Sequence, residues 1–203
     1  MSPARPGMAG SLPIMTFDDV PLGRHFGYVF DPRWLGPCES IVSMLWKFAR
    51  MNGLAGSRVV SQLCAAPLDP YEGVPASLAS VDVRRVAGML QVPLKTVRCA
   101  LGAASGRRAL DPRLRHCPRC MALKYHGMVH QFLGAMQCPV HGDWLEEVCR
   151  ACGQATAYRL NALLLDAPYC CAHCRRPFGR PLASMTRPLP KRMRMEITRA
   201  YLR

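Results

Sequence analysis

No stretch of this sequence approaches the roughly 20 consecutive apolar residues that a membrane helix needs, so no membrane span is expected. The first residues lack the unbroken apolar centre of a secretory signal, because Pro3, Pro6 and Pro13 and several glycines interrupt them. A cytoplasmic location is therefore expected, where thiols stay reduced and paired cysteines hold metal more often than they form disulfides. Acidic residues are also scarce, with 13 Asp and Glu against 27 Lys and Arg, giving a net charge of +14. Such an excess favours a polyanionic partner, most simply a nucleic acid or a ribonucleoprotein.

Half of the 203 residues are apolar, enough for a packed core in one or two small domains. Residues 1–27 read as a loose arm rich in proline and glycine. A helical region spans 28–110. Its first helix begins at Ser40, a good N-cap, and carries Ile41, Met44, Leu45 and Phe48 on one face. Asn52-Gly53 stops it, since either residue tolerates the left-handed turn that closes a helix. A turn-rich connector covers 67–75. Ser80-Val81-Asp82 then opens a helix with Val83, Val86, Ala87 and Leu90 on one face. Pro93 suits the first turn of a second short helix that ends before Gly102. Residues 82–101 thus form a helix-turn-helix candidate presenting Lys95, Thr96 and Arg98 to phosphates or base edges. The plainer reading is a helical hairpin that buries Val92, Leu94 and Val97. Basic residues follow at Arg107 and Arg108, and the tail 181–203 is basic too, with Lys191, Arg192 and Arg194 as phosphate contacts. From Arg175 onward nine basic residues face one acid, Glu196. A short helix over 193–202 is expected there, formed on binding a partner.

Eight of the eleven cysteines fall between Cys117 and Cys174. Cys117-Pro-Arg-Cys120 is followed after 17 residues by Cys138-Pro-Val-His141. Cys149-Arg-Ala-Cys152 is followed after 18 residues by Cys171-Ala-His-Cys174. A two-residue spacing brings two donors as close as one tetrahedral ion requires, and two such knuckles complete its shell. Two structural zinc ions are expected in a tandem zinc-finger region over 111–180. Cys170 and Cys171 can each face the second ion; Cys171 keeps the two-residue spacing. His116, His126, His130 and His173 compete with better-spaced donors. No acid lies between His126 and His130, which excludes a hydrolytic zinc helix, and the His-x-Glu of zinc deaminases is missing. Four protein donors per ion leave no position for water, so the chain is not expected to be an enzyme. Leu123, Phe132, Leu133, Trp144 and Leu145 are expected to pack around the knuckles. The fold expected is small and mainly α, with the zinc region following the helices.

The stretch 117–174 resembles the TniQ/TnsD family of transposition proteins. The resemblance rests on Cys117-Pro-Arg-Cys120, Tyr125-His126, His130-Gln131-Phe132-Leu133-Gly134, Cys138-Pro-Val-His141-Gly142, Leu145 and Cys149-Arg-Ala-Cys152-Gly153. Glu39-Ser40-Ile41, Phe48-Ala49-Arg50 and Asn52-Gly53 look like that family's opening helix, and the helix-turn-helix candidate sits where members carry one. The resemblance implies a target-selection adaptor of bacterial Tn7-like transposons. Such an adaptor links target DNA, or an RNA-guided CRISPR effector complex, to an AAA+ transposition ATPase. It also implies association with the nucleoid when engaged, and homodimers as in some members. Many members continue well past the second knuckle pair, which favours the compact adaptors of CRISPR-associated or related elements for this sequence.

Overall fold

The computed structural model describes residues 27–103, 109–180 and 189–202. The expected arm, Arg107 and Arg108 lie outside the described residues. Helices dominate: α1 (Ile41–Met51), α2 (Gly56–Val60), α3 (Val83–Leu90), α4 (Leu94–Ala100), α5 (Pro118–Ala122), α6 (Ala162–Leu165) and α7 (Lys191–Leu202). A minimal antiparallel pair, β1 (Val74–Pro75) and β2 (Arg159–Leu160), joins Val74 to Leu160 and Pro75 to Arg159.

Helix α1 is the axis of the fold. Ser40 caps it, its Oγ accepting the Ser43 N–H at 3.3 Å. Gly53 supplies the left-handed turn beyond its end, at φ +60°. Asn52 acts through its side chain instead, bonding the Val29 N–H and carbonyl at 2.8 Å each. The expected one-sided burial is exceeded, because every residue from Ile41 to Ala49 is buried. The cause is enclosure from several directions. The Trp46 indole donates to the Leu164 carbonyl at 2.8 Å, and α1 packs on α2 and α6. The main core therefore mixes Phe30, Phe48, Val60 and Leu90 with Leu114, Tyr158, Leu164 and Tyr169 from the cysteine-rich stretch.

Lys47, the buried cation of this helix, is held by a saturated polar network. Its Nζ lies 2.6 Å from Glu39 Oε1 and donates to the Trp34 carbonyl at 2.7 Å. Glu39 also accepts from the Ser43 hydroxyl at 2.5 Å and the Gly36 N–H at 2.7 Å. Ser43 in turn lies 3.1 Å from the Tyr169 hydroxyl. One buried ion pair thus ties the 3-10 turn at Pro32–Trp34, α1 and the edge of the second cysteine cluster together.

Helices α3 and α4 pack against each other across a left-handed turn at Gln91 (φ +52°), with Asp82 capping α3 by accepting the Arg85 N–H at 3.0 Å. Val92 and Val97 are buried, as the hairpin reading requires, but Leu94 remains 46 % exposed.

Helix α7 departs from the expectation of a tail that folds only on a partner, since it packs on its own chain. Met193, Ile197 and Tyr201 recur every four residues and are buried. The first two join Cys117, Cys120, Tyr125, Cys138 and Leu145 in a second, smaller core. Tyr201 closes a third with Met128, Val129 and Phe132, and its hydroxyl donates to the Cys99 carbonyl of α4 at 3.1 Å. Among the described residues no helix is long and apolar enough to cross a membrane.

Candidate metal centres

Each knuckle is a local turn whose geometry repeats. The N–H four residues after the first donor returns to that donor's carbonyl. These bonds run from Gly142 to Cys138 (2.9 Å), from Gly153 to Cys149 (2.8 Å) and from Arg175 to Cys171 (2.9 Å). Gly142, Gly153 and Arg175 all take left-handed backbone, at φ +70°, +71° and +62°. Such a turn points two side chains at one locus. In the remaining knuckle Met121 N–H bonds the Cys117 carbonyl at 3.0 Å, and α5 replaces the turn.

The four knuckles pair into two clusters, Cys117, Cys120, Cys138 and His141, and Cys149, Cys152, Cys171 and Cys174, which can hold two metal ions. In the first, His141 Nδ1 stands 3.3, 3.4 and 3.6 Å from the sulfurs of Cys117, Cys120 and Cys138, and Cys120 and Cys138 are 3.6 Å apart. In the second, the Cys149–Cys174 and Cys152–Cys171 sulfurs are each 3.7 Å apart. A tetrahedron with metal–sulfur bonds of about 2.3 Å and metal–nitrogen bonds of about 2.0 Å has edges of about 3.8 and 3.5 Å. The donors fit that figure, and they are far too separated for disulfide bonds of about 2.05 Å. Electrostatics point the same way. Cys117 and Cys138 together push the Cys120 thiol far above its usual range, while bonding from Cys117 and Cys120 pulls Cys138 down to about 3. Sulfurs so crowded cannot all ionise on their own, whereas a divalent cation accepts all of them as thiolates.

The Cys170/Cys171 alternative is resolved by the same turn. Cys171 is buried in its cluster; Cys170 lies outside it, and burial raises its thiol pKa while Lys124 and Arg50 oppose the rise. None of the other described histidines belongs to either cluster. His173 is exposed and bonds the Ala155 carbonyl, and His116 stacks on Phe178 with ring centres 4.0 Å apart. His126 clamps the cysteine-rich stretch to α1. Its Nε2 donates to the Arg115 carbonyl at 2.7 Å, which leaves Nδ1 to accept the Ser40 hydroxyl at 2.6 Å.

Burial, reinforced by the charge of His130, lowers the His126 pKa to about 3. An unfolded histidine takes up its proton near 6.5. The stability this neutral ring supports is thus complete above pH 6.5 and drains away as the pH falls towards 3, because only the unfolded chain binds the proton over that range. In long-range 15N–1H spectra His126 should remain a neutral Nε2–H imidazole from pH 8 to pH 5. A titration with midpoint near 6.5 would contradict the clamp.

Of the residues expected to pack around the knuckles, Phe132 and Leu145 are buried and Leu123 is partly so. Leu133 and Trp144 instead stand 49 % and 64 % exposed. Trp144 belongs to an extended segment bridged to Gln137, where alternate side chains face outward, and Leu133 lies in the turn that follows Phe132. Between the metal clusters lies a cleft of about 790 Å³, walled by α5, His141 and the segment Pro177–Arg180. Gly179 makes that junction possible, since a Cβ there would lie 2.1 Å from the Pro118 carbonyl. Sequence reasoning missed this wall, because the glycine carries no spacing signal. Lys95 and Arg98 are exposed on α4 and Thr96 is half-buried. Lys191 and Arg192 are exposed on α7, Arg192 pairs with Glu196 at 3.0 Å, and Arg194 donates to the Leu35 carbonyl at 3.3 Å. No model of a known protein family matches the chain, and no curated protein matches it.

Proposed function

We propose that this chain is a non-enzymatic target-selection adaptor of Tn7-like transposition, built on two structural zinc ions. It links target DNA or an RNA-guided effector complex to an AAA+ transposition ATPase, in the bacterial cytoplasm and at the nucleoid. The observation that supports it most is the pair of clusters that each bring four protein donors together, the number that fills a structural tetrahedral site. A chain that spends its chemistry on scaffolding is suited to presenting surfaces to other macromolecules. The motif resemblance over 117–174 and the net charge of +14 supply the class of those partners. Co-purification of the zinc-loaded chain with the ATPase and target complex encoded beside it tests the reading. Failure to associate with either rejects it.

A second reading, a sequence-specific DNA-binding regulator, is favoured by one feature: α3 and α4 meet at a tight turn and leave Lys95 and Arg98 exposed on the second helix. It requires that substituting either residue relax site preference rather than weaken all sequences equally.

A further inference from the structure

Two hollows meet at Pro37. The first, of about 290 Å³, runs from the Leu35–Glu39 loop to Lys95, Thr96 and Cys99 of α4. The second, of about 410 Å³, runs from Pro37 to Lys191, Arg194, Thr198 and Arg199 of α7. Residues 100 positions apart in sequence thereby line one groove, and the Tyr201 hydroxyl on the Cys99 carbonyl fixes the two helices to each other. The charge in the groove is one-sided. Among the described residues its only acid, Glu39, is buried and paired with Lys47, whereas Glu196 lies outside both hollows against Arg192. Lys95, Lys191 and Arg199 form no ion pair among the described residues, and Arg194 is held in place by the Leu35 carbonyl.

We infer that this groove, shared by α4 and α7 around Pro37, grips the phosphate backbone of double-stranded DNA. The cations select a polyanion, and the lining selects its form. Among the described residues no Phe, Tyr or Trp lines either hollow, so they offer no stacking platform of the kind on which single-stranded binders rely. Lysine, arginine and threonine aimed at a backbone hold a duplex without reading its sequence. The basic helix α7 is therefore half of a built surface, and the inference stands whether or not the adaptor reading holds.

Fluorescence anisotropy of the metal-loaded full chain on a labelled 20-base-pair duplex of mixed sequence, between 50 and 300 mM KCl, tests it. The logarithm of affinity should fall steeply with the logarithm of salt, and each of Lys95→Ala, Lys191→Ala and Arg199→Ala should reduce the slope by about 0.9. Lys95→Glu with Arg199→Glu should weaken binding at least roughly tenfold at 100 mM salt. Arg58→Glu with Arg84→Glu makes the same charge change on α2 and α3, outside both hollows, and should cost less than about twofold. Met195→Lys adds a cation to the rim from an exposed position and should tighten binding by about threefold, a gain that misfolding cannot produce. Equal losses from the groove and control pairs would overturn the inference. So would a 20-nucleotide oligothymidine that binds as tightly as the duplex.

Discussion

Cys171→Ser is expected to lower the metal content of the purified chain from two ions to one, whereas Cys170→Ser leaves it at two. The adjacent thiols are chemically alike, and the left-handed turn at Arg175, with the bridge from Cys170 to Pro177, sets which of them faces the other donors. The consequence extends beyond stoichiometry. Cys149 and Cys171 belong to the main core together with Leu164 and Tyr169, which contact α1 through Trp46 and Ser43. Structural zinc contributes apparent binding free energies of about 10–16 kcal/mol, while whole domains are stable by only about 5–15 kcal/mol. Loss of the second ion should therefore abolish cooperative folding of the α1 core, and chelation should do the same to the native chain. Elemental analysis alongside near-ultraviolet circular dichroism reads both effects. One ion per chain in Cys170→Ser, or a native spectrum after complete metal removal, would refute the assignment.

Lys47→Met should destabilise the metal-loaded chain by about 3–5 kcal/mol, because it strands the Glu39 carboxylate in the core without its counter-charge. Both partners are almost wholly sequestered, at 6 % and 1 % side-chain exposure, so solvent does not screen the loss. Adding Glu39→Gln to Lys47→Met should recover much of the deficit, since the amide carries no charge, its oxygen still accepts from the Gly36 N–H and its NH2 can donate to the Ser43 hydroxyl. Urea unfolding of the two variants measures this directly. A single variant within 1 kcal/mol of the parent would show that the pair does not hold the loop on α1.

Local features were the legible ones. Ser40, Asp82, Pro93 and the two-residue donor spacings act within a few residues, so their turns and caps stand in the order of the letters. What escaped depends on distant partners. Lys47 interrupts an apolar helix without any sign that Glu39 and the Trp34 carbonyl will receive it. His126 and His130 are four residues apart, a spacing that fits one helical face, yet His130 lies in the 3-10 turn Met128–Gln131 and His126 precedes it, and both are buried as neutral rings. Met193, Ile197 and Tyr201 form a clear apolar stripe, but the nine basic residues from Arg175 onward led to a helix expected only on binding a partner. Gly142 and Gly153 announce their left-handed turns, while Arg175 makes the same turn without a glycine, which is why its knuckle left two cysteines in competition.

Helix α7 roofs the smaller core around Cys117, Cys120 and Cys138, and this sets an order of events during synthesis. The donors of that cluster are complete once His141 has been made, yet Met193, Ile197 and Tyr201 follow only roughly sixty residues later. At about 5–20 residues per second, the ribosome leaves that side of the nascent cluster uncovered for some 3–12 seconds. Metal capture there must either withstand competing cellular thiols during the delay or wait until the closing helix emerges.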